Sequence, residues 1–427
     1  MDLSVEGKTY INGSLENCCI GIKKGKITAV KKILKADEHY NFGKKLILPA
    51  GIDLHVHFRD PGMKHKEDCL TGSKAALYGG ISCVFDMPNT IPQTINIQNI
   101  SDKINNFEKK SFTDFGIYAG ISNDNISNIE KLAKKCNGFK IYLGNTTVAL
   151  MFDKKNLREV LEKTCNIGKP VMFHAEDEEC LIQNRTVEKG VIDHLHFRPT
   201  VCEEISIKDI FQASNGISPR IHICHVSSCE GLELLKNRPV NISCGVTPHH
   251  SLLNAEKKLG SQTFYKVNPP LRTSFDKEAL FNGLKKGQID VIESDHAPHT
   301  LDEKSLDFNE APSGLPGVET TYPLFLYLVK KEILSFQRLI SLLCIRPAEL
   351  MNIPKGKIEA GYDADFIIFD FKNVTKIKSE NLHSKCGWTP FEDWSAIFPE
   401  CVFIRGEKLI DENEIQVKSG FGRFVGA

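Results

Sequence analysis

Two rhythms of apolar and polar positions alternate along the chain. The stretches SVEGKTYING and IGIKKGKITAVKK near the start show short alternating apolar runs, broken by Asn-Gly and Lys-Gly turns. This pattern is typical of antiparallel strands. The same texture returns near the end, in GKIEAGYDADFIIFD and VFIRGEKLI. The pattern therefore predicts a small β-sandwich domain built from both termini, over residues 1–48 and 355–427, around an inserted central domain.

The central segment, 49–354, has a longer period. Eight apolar, β-rich runs recur there: GIDLHVH, GISCVFDMPN, FGIYAG, GFKIYLG, KPVMFHAE, RIHICHVSS, VNISCGVTPHH and IDVIESDHAPH. Most are separated by stretches long enough for a helix, such as KEDCLTGSKAALYG and LREVLEKTC. Eight strands alternating with helices indicate parallel βα units and an α/β fold, either a (β/α)8 TIM-type barrel or an open doubly wound sheet.

Polar side chains at the ends of the predicted strands favour the barrel. They collect where each run finishes: His55, His57, Asn89, Lys140, His174, His225, His249, His250, Asp295 and His299. A barrel brings these positions together on one face, whereas a doubly wound sheet divides them between two sides of a switch point. No glycine-rich GxGxxG or Walker-type loop is present, so nucleotide phosphate binding has little support.

The strand-end histidines indicate a metal site. His55 and His57 are two residues apart on a strand, so both project from the same face. Alone, this pair also fits two half-buried strand histidines. His174, His225 and Asp295 on three other strand ends favour a metal bound by imidazole and carboxylate.

Three further histidines are less informative. We expect His222, deeper in its strand, to be a packing residue. His249 and His250 fit a place in the site and a supporting role behind it equally well.

Lys140 lies inside an apolar strand, where an unpaired ammonium group is costly. One interpretation is that its side chain reaches a carboxylate at the barrel rim. The other is that its neutral amine adds CO2 and becomes a carbamate, an anion with two oxygens that can bridge two divalent cations.

Composition narrows the class of protein. The 427 residues are 41% hydrophobic and 25% charged, which excludes a disordered, collagen-like or small disulfide-rich chain. Lys+Arg and Asp+Glu are both 54, so net charge gives no reason to expect nucleic acid or an anionic membrane as partner. No signal peptide and no apolar run of about 18 residues is visible, which predicts a cytoplasmic protein without a membrane span. We expect the 14 scattered cysteines, which form no CxxC, to be reduced and mostly buried.

Two segments and six shorter motifs hold most of the candidate site residues. The segments are DLHVHFRDPG at 53–62 and SDHAPH at 294–299, the latter followed by Lys304. The shorter motifs are MPNT, FKIYL, FHAE, CHVS, NPPLR and APSGLPGVET. The two segments resemble the signature segments of dihydroorotases, which belong to the amidohydrolase superfamily, and the shorter motifs match in the family's order. The resemblance spans nearly the whole chain and is greatest to the longer, class I type. Glu293 departs from the second signature, which usually has a small residue there, and we expect it to alter packing only.

The resemblance implies a ligand and a role for each site residue. His55, His57 and Asp295 would hold one metal, His174 and His225 a second, and carbamylated Lys140 would bridge them. Two divalent ions per chain, most simply Zn²⁺, are therefore expected, although Co²⁺ and Mn²⁺ also suit such ligands. Asp295 would act as general acid and base. The implied reaction is the reversible cyclisation of N-carbamoyl-L-aspartate to L-dihydroorotate and water in de novo pyrimidine (UMP) biosynthesis.

The free carboxylate of this substrate distinguishes it from the substrates of related enzymes. Arg59 offers a planar fork that matches a carboxylate. Further substrate contacts are expected from His57, Asn89, Asn268, His299, Ser313 and Gly314. A homodimer and an association with aspartate transcarbamoylase are compatible with the resemblance.

Two other functions remain to be compared with this one. A cyclic amidohydrolase acting on hydantoins, dihydropyrimidines or allantoin would share the metal set but would not need to bind a carboxylate. A non-catalytic relative serving as a scaffold typically loses metal ligands, whereas all six ligand positions are filled here.

Overall fold

Two eight-stranded sheets organise the protein. The structure is a computed structural model that describes residues 1–11, 13–145, 150–257 and 260–426. The N-terminal strands are β1 Leu3–Ile11, β2 Ser14–Lys23, β3 Lys26–Lys31 and β4 Glu38–Pro49. The central strands are β5 Gly51–Val56, β6 Ile81–Asp86, β7 Asp114–Gly120, β8 Gly138–Tyr142, β9 Val171–His174, β10 Ile221–Ile223, β11 Ile242–Val246 and β12 Val291–Ile292. The C-terminal strands are β13 Phe366–Phe369, β14 Thr375–Lys376, β15 Ser395–Ala396, β16 Cys401–Ile404, β17 Glu407–Asp411 and β18 Glu414–Ile415.

Most helices lie between the central strands. They are α1 Cys69–Tyr78, α2 Ile97–Glu108, α3 Ile129–Ala133, α4 Leu157–Ile167, α5 Glu178–Gln183, α6 Val191–Phe197, α7 Thr200–Ser214, α8 Cys229–Leu235, α9 Pro248–Leu252, α10 Ser274–Lys286, α11 Leu301–Lys304, α12 Thr321–Lys330, α13 Phe336–Ile340 and α14 Arg346–Met351. A π-helical turn, Ser341–Ile345, joins the last two. In the described part of the chain, no helix is long and apolar enough to cross a membrane.

The central strands form a closed parallel barrel. Strands β5 to β12 are neighbours in chain order, and every residue in them is buried. Burial on both faces explains why these strands read as nearly continuous apolar runs. Val56 forms a parallel bridge with His296, and the His57 N–H donates to the His296 carbonyl at 2.8 Å, which joins the first strand to the segment after the last. The predicted TIM-type barrel is confirmed.

Local sequence signals set the ends of the predicted helices. The Asp68 side chain accepts a hydrogen bond from the Thr71 N–H, and the Thr71 hydroxyl oxygen accepts one from the Asp68 N–H. This capping box starts α1. Gly168 ends α4 in the left-handed conformation, with φ +77°. Both helices were predicted from the sequence, and each lies on the outside of the barrel between two of its strands.

The second sheet is built from both termini, as predicted. Its strand order is β18-β17-β16-β13-β4-β1-β2-β3. Strand β4 pairs in parallel with β1 on one side and antiparallel with β13 on the other. The N-terminal and C-terminal segments therefore share one continuous sheet, and β4 leads directly into β5 of the barrel.

The cysteine prediction is wrong at one pair. Cys180 on α5 and Cys202 on α7 form a disulfide, with their Cα atoms 5.4 Å apart. The other twelve cysteines are free, as expected. The sequence carries no CxxC or regular spacing that could have paired these two residues.

A buried ionic cluster connects the terminal domain to the barrel. Lys355 Nζ lies 2.7 Å from Asp114 Oδ2 on β7, 3.0 Å from Asp363 Oδ2 and 2.7 Å from Asp365 Oδ2, just before β13. Burial would lower the pKa of Lys355, but the three carboxylates hold it well above its usual range. The ammonium group thus reduces the electrostatic repulsion among the three carboxylates that surround it.

Lys355→Met should lower the free energy of unfolding by about 3–5 kcal/mol, because it leaves the buried Asp365 carboxylate without its cation and removes one of the cations that pair with Asp114 and Asp363. The measurement is urea-induced unfolding followed by circular dichroism. Lys26→Met is the matched control, since Lys26 pairs with Asp363 from a half-exposed position and should cost less than about 1 kcal/mol. Equal losses in the two variants would contradict a special role for the buried cluster.

Candidate metal centre

The predicted site residues meet at the carboxyl-terminal mouth of the barrel. One pocket is lined by His55, His57, Arg59, Asn89, Lys140, Tyr142, His174, His225, Val267, Asn268, Asp295, Ala297, Ser313 and Gly314. This set contains every predicted site residue except His299, which lies behind the wall with its Nε2 3.2 Å from Arg59 Nη2. Residues from six different strand ends therefore face one small volume, as parallel strands in a closed barrel require.

The first group of metal donors consists of His55, His57 and Asp295. Asp295 Oδ1 lies 3.4 Å from His55 Nε2 and 3.1 Å from His57 Nε2. All three side chains are buried, and their donor atoms lie within 4.8 Å of one another, close enough to hold one ion. Two imidazoles and a carboxylate are a donor set that Zn²⁺ and similar cations accept.

The second group adjoins the first. His174 Nδ1 lies 3.2 Å from His225 Nε2, and the rings of His225 and His55 are 5.2 Å apart. Lys140 is fully buried beside them, and its Nζ lies 3.4 Å from Cys224 Sγ. In the described residues this ammonium group pairs with no carboxylate, so the rim-carboxylate interpretation finds no partner.

Neighbouring oxygens fix which nitrogen of each ring faces the pocket. His57 Nδ1 lies 2.6 Å from the Asn89 side-chain oxygen, which can only accept, so Nδ1 carries the proton and Nε2 presents its lone pair. His174 Nε2 donates to Glu176 Oε2 at 2.8 Å in the same way, which leaves Nδ1 for a metal. Arg198 in turn holds Glu176, with Nη2 2.5 Å from Oε2. Such oxygen partners orient metal-binding imidazoles in many proteins.

Burial keeps the imidazoles neutral, which is the form that binds metals. It lowers the pKa of His55 to about 4, helped by the charge of Lys140, and it lowers the pKa values of His57, His174 and His225. Burial would raise the pKa of Asp295, but the charge that His55, His57 and His225 carry when they are protonated holds it well below its usual range. A proton in this cluster therefore goes to an imidazole before it goes to the Asp295 carboxylate.

Several buried ring nitrogens in this region lack partners. His225 Nδ1, His249 Nε2 and His55 Nδ1 are buried and form no hydrogen bond in the described structure. Buried polar atoms normally find partners, so these nitrogens show that the described residues alone do not complete the polar contacts around the site.

Three site residues adopt a backbone conformation that is rare outside glycine. The φ angles are +57° at Arg59, +39° at His225 and +46° at Asp295. Each such residue costs on the order of 1–3 kcal/mol, and such residues cluster at functional sites. The turns redirect the chain where β5, β10 and β12 finish, and they point these side chains into the pocket.

Arg59 is a buried cation without an acidic partner in the described structure. Its Nε donates to the Pro298 carbonyl at 3.3 Å and its Nη2 lies 3.2 Å from His299 Nε2. The adjacent Asp60 pairs instead with Lys110, at 3.0 Å, and with Lys64. The guanidinium charge in the pocket wall is therefore available to a ligand.

Four residues were missed or misjudged in the sequence. The expectation that Glu293 affects packing alone is wrong, because its Oε1 accepts a hydrogen bond from the His225 N–H at 2.6 Å. Glu176 and Arg198 support His174, although only the FHAE motif hinted at the first. The buried Tyr142 hydroxyl lines the pocket without a partner in the described structure, and nothing in FKIYL singled it out.

The two uncertain histidines differ from each other. His250 Nδ1 bonds the Thr247 hydroxyl at 2.8 Å and Nε2 lies 3.0 Å from the Pro269 carbonyl, so both nitrogens are occupied. His250 is thus a structural support. His249, by contrast, keeps its buried Nε2 unpartnered among the described residues.

Comparison with known proteins agrees with this geometry. A family model described as the amidohydrolase family matches residues 46–409. The dihydroorotase of Methanosarcina acetivorans is 39% identical, over 98% of this chain and 94% of its own. The dihydroorotase of Thermoplasma acidophilum is 38% identical, over 100% and 98%.

Solved structures share the fold. An L-hydantoinase from Arthrobacter aurescens superposes with a TM-score of 0.94 at 26% identity, covering 100% of both chains. A dihydropyrimidinase from Brevibacillus agri gives 0.90 at 23%, covering 100% of this chain and 98% of its own.

These matches cover the barrel, its metal-donor pocket and most of the terminal sheet, and the chain belongs to the amidohydrolase family. The two relatives named above, which match this chain over nearly their full length, are dihydroorotases, and the chain is a member of this group of cyclic-amide hydrolases. The resemblance stated from the motifs is confirmed.

Proposed function

We propose that this enzyme interconverts N-carbamoyl-L-aspartate and L-dihydroorotate in de novo pyrimidine biosynthesis. The observation that carries the proposal is the buried guanidinium of Arg59 in the wall of the metal-donor pocket, which pairs with no carboxylate among the described residues. A buried cation without an acidic partner is unfavourable, and a ligand that brings a carboxylate to it removes this cost. Both forms of this substrate carry a carboxylate that takes no part in the reaction.

This proposal differs from the hydantoinase type of activity in the substrate and not in the metal site. Hydantoins and dihydropyrimidines have no ring carboxylate, so Arg59 would remain unpaired with them bound. A scaffold without activity is also disfavoured, because all six proposed ligand positions hold residues able to bind metal and their donor atoms face one pocket.

We assign the cations to the chain's own donors as follows. His55, His57 and Asp295 would hold one ion, His174 and His225 the second, and a carbamate on Lys140 would bridge them, with Zn²⁺ as the expected metal. Bound divalent cations would polarise the amide carbonyl and lower the pKa of the attacking water. A carbamate would also remove the cost of a buried ammonium group whose described hydrogen bond goes to a thiol.

Asp295 would move the proton. In ring opening it accepts a proton from the attacking water and delivers it to the departing amide nitrogen. In ring closure it removes the proton of the ureido nitrogen and returns it to the oxygen that leaves as water. The contacts of Asp295 Oδ1, which lies 3.1 Å from His57 Nε2 and 3.4 Å from His55 Nε2, support this role.

The remaining pocket residues would orient the substrate. Arg59 would take the carboxylate, with His299 beside it, while the Asn89 oxygen already holds His57 and leaves the amide NH2 as a donor. The Ser313 carbonyl lies 3.1 Å from His299 Nε2. The backbone at position 314 has room only for glycine, because a Cβ there would lie 2.4 Å from the Ala297 carbonyl oxygen.

Asn268 and His57 complete the proposed substrate contacts. The side-chain oxygen of Asn268 lies 2.9 Å from His194 Nε2, which fixes the orientation of the amide in the pocket wall.

The homodimer, the association with aspartate transcarbamoylase and the cytoplasmic location remain predictions from the sequence.

Asp295→Asn should lower kcat by about 10²–10⁴-fold or more, because an amide cannot carry the proton. The measurement is the ultraviolet absorbance of dihydroorotate, with metal content and circular dichroism recorded on the same sample. Asp302→Asn, on the exposed side of α11, is the control and should keep wild-type activity. A folded, metal-loaded Asp295→Asn enzyme with full activity would show that Asp295 is not the proton carrier.

Arg59→Met should reduce kcat/KM for dihydroorotate. The loss of transition-state stabilisation should be about 3 kcal/mol, the scale of a charge-assisted hydrogen-bond pair. Dihydrouracil, the same ring without the carboxylate, should be affected far less, whether measured by turnover or as a competitive inhibitor. Arg59→Lys keeps the charge without the planar fork, so its kcat/KM for dihydroorotate should lie between those of the wild type and Arg59→Met. Equal losses for both rings would assign Arg59 a structural role and favour the hydantoinase type of substrate.

Lys140→Ala should reduce bound metal from two ions to about one per chain, because the bridging anion is lost. Added acetate or propionate should restore part of the activity, whereas Lys140→Arg should not, since a guanidinium cannot form the carbamate. Metal is measured by mass spectrometry, and the carbamate by its ¹³C signal after growth with ¹³CO2. A free amine with full activity would leave a mononuclear centre on His55, His57 and Asp295.

A further inference from the structure

A fully buried carboxylate lies directly beneath the metal-donor pocket. Glu293 follows β12, and its Oε1 accepts the hydrogen bond from the His225 N–H. Its Oε2 lies 3.6 Å from His55 Nδ1 and 3.4 Å from His222 Nε2. One side chain thus reaches a proposed ligand of each metal from below, and a third histidine from the barrel interior.

The neighbouring strand makes room for this side chain. A Cβ at Gly245 on β11 would lie 2.5 Å from Glu293 Oε1 and 2.9 Å from His222 Nε2. Because β11 separates β10 from β12, the carboxylate can cross to the end of β10 only where β11 carries no side chain. The Glu293 carboxylate therefore occupies the space that a side chain at position 245 would need.

Three unsatisfied atoms meet at this point. His55 Nδ1, Glu293 Oε2 and His222 Nε2 are all buried and form no hydrogen bond in the described structure, although they face one another at 3.4–3.6 Å. A shift of about half an ångström would bring both contacts within hydrogen-bond range.

The other metal-site histidines show what such a contact does. His57 is held from behind by Asn89, and His174 by Glu176. Glu293 is the corresponding oxygen for His55: with Nδ1–H directed at Glu293, the lone pair of Nε2 faces Asp295 and the pocket. The strained backbone of His225, at φ +39°, is held by the other oxygen of the same carboxylate.

We propose that Glu293 is a positioning residue that orients His55 through Nδ1 and holds the His225 backbone in its left-handed conformation. The role rests on the proposed metal-binding functions of these two histidines. Gly245 is required for it, since any side chain there displaces the carboxylate. His222 completes the arrangement as the second partner of Oε2, with its Nδ1 2.8 Å from the Ser243 hydroxyl oxygen.

A different assignment would make Glu293 a ligand of a further ion, together with His55 and Cys224. The three residues do lie within reach of one cation. Burial raises the pKa of the Cys224 thiol well above its usual range, which disfavours the thiolate form that binds metals. Metal counting separates the two assignments.

The test uses the full chain with Glu293→Ala, Glu293→Gln and Gly245→Ala. Affinity for Zn²⁺ is measured by competition with a chromogenic chelator, and the visible spectrum is recorded after loading with Co²⁺. Glu293→Ala should weaken binding of one ion by about 10–100-fold and shift the Co²⁺ bands. Gly245→Ala should do the same without removing the carboxylate. Glu293→Gln, which keeps an accepting oxygen, should recover part of the loss.

Asp290→Asn is the matched control, because Asp290 is also near β12 and accepts a hydrogen bond from the backbone N–H of Cys244 at 2.9 Å. It should leave metal affinity and the Co²⁺ spectrum unchanged. Wild-type affinity and spectrum in a folded Glu293→Ala protein would overturn this proposal alone, as would a third ion that only the wild type binds. A wild-type protein that binds no divalent cation would overturn both this proposal and the metal centre. Gly245→Ala and Glu293→Gln keep the test decisive if Glu293→Ala does not fold.

Discussion

The hydrogen bond from the His57 N–H to the His296 carbonyl closes the barrel, and the site depends on that closure. It ties the end of β5 to the segment after β12, although the two are about 240 residues apart in sequence. Asp295, one residue before His296, is thereby brought to 3.1 Å from His57. Without closure, the two signature segments would lie at opposite edges of a sheet, and no common pocket would exist between them.

The same closed geometry concentrates groups whose burial is individually unfavourable. Lys140 and Arg59 have no carboxylate partner in the described structure, and His225 and Asp295 hold strained backbone conformations. The fully buried barrel strands and the ionic cluster at Lys355 supply the surrounding stability. A bound substrate and cations would satisfy what the protein alone leaves unpaired, so the stability of the pocket and its chemistry are coupled.

Much of this arrangement could be predicted from sequence because its signals are local. The barrel strands follow from apolar runs, and the shared face of His55 and His57 follows from the two-residue period of a strand. Placing His174, His225 and Asp295 together needed only the rule that parallel strands present their carboxyl ends at one face. What escaped prediction depends on contacts distant in sequence. The Cys180–Cys202 bond, the Lys355 cluster and the partnership of Glu293 with His225 arise only after folding brings separate segments together. Positive φ at His225 and Asp295 has no local marker either, since neither residue is glycine.

The position of β4 has a consequence for synthesis of the chain. One edge of β4 pairs with β1 early in the sequence, but the other edge awaits β13, about 320 residues further on. At roughly 5–20 residues per second, a ribosome needs about 15–60 s to make that interval. During this time the nascent protein presents an unpaired strand edge next to a growing barrel, a form prone to pairing with other chains. Rapid protection of that edge, by a chaperone or by transient contact with the nascent barrel, is therefore a requirement of the split sheet itself.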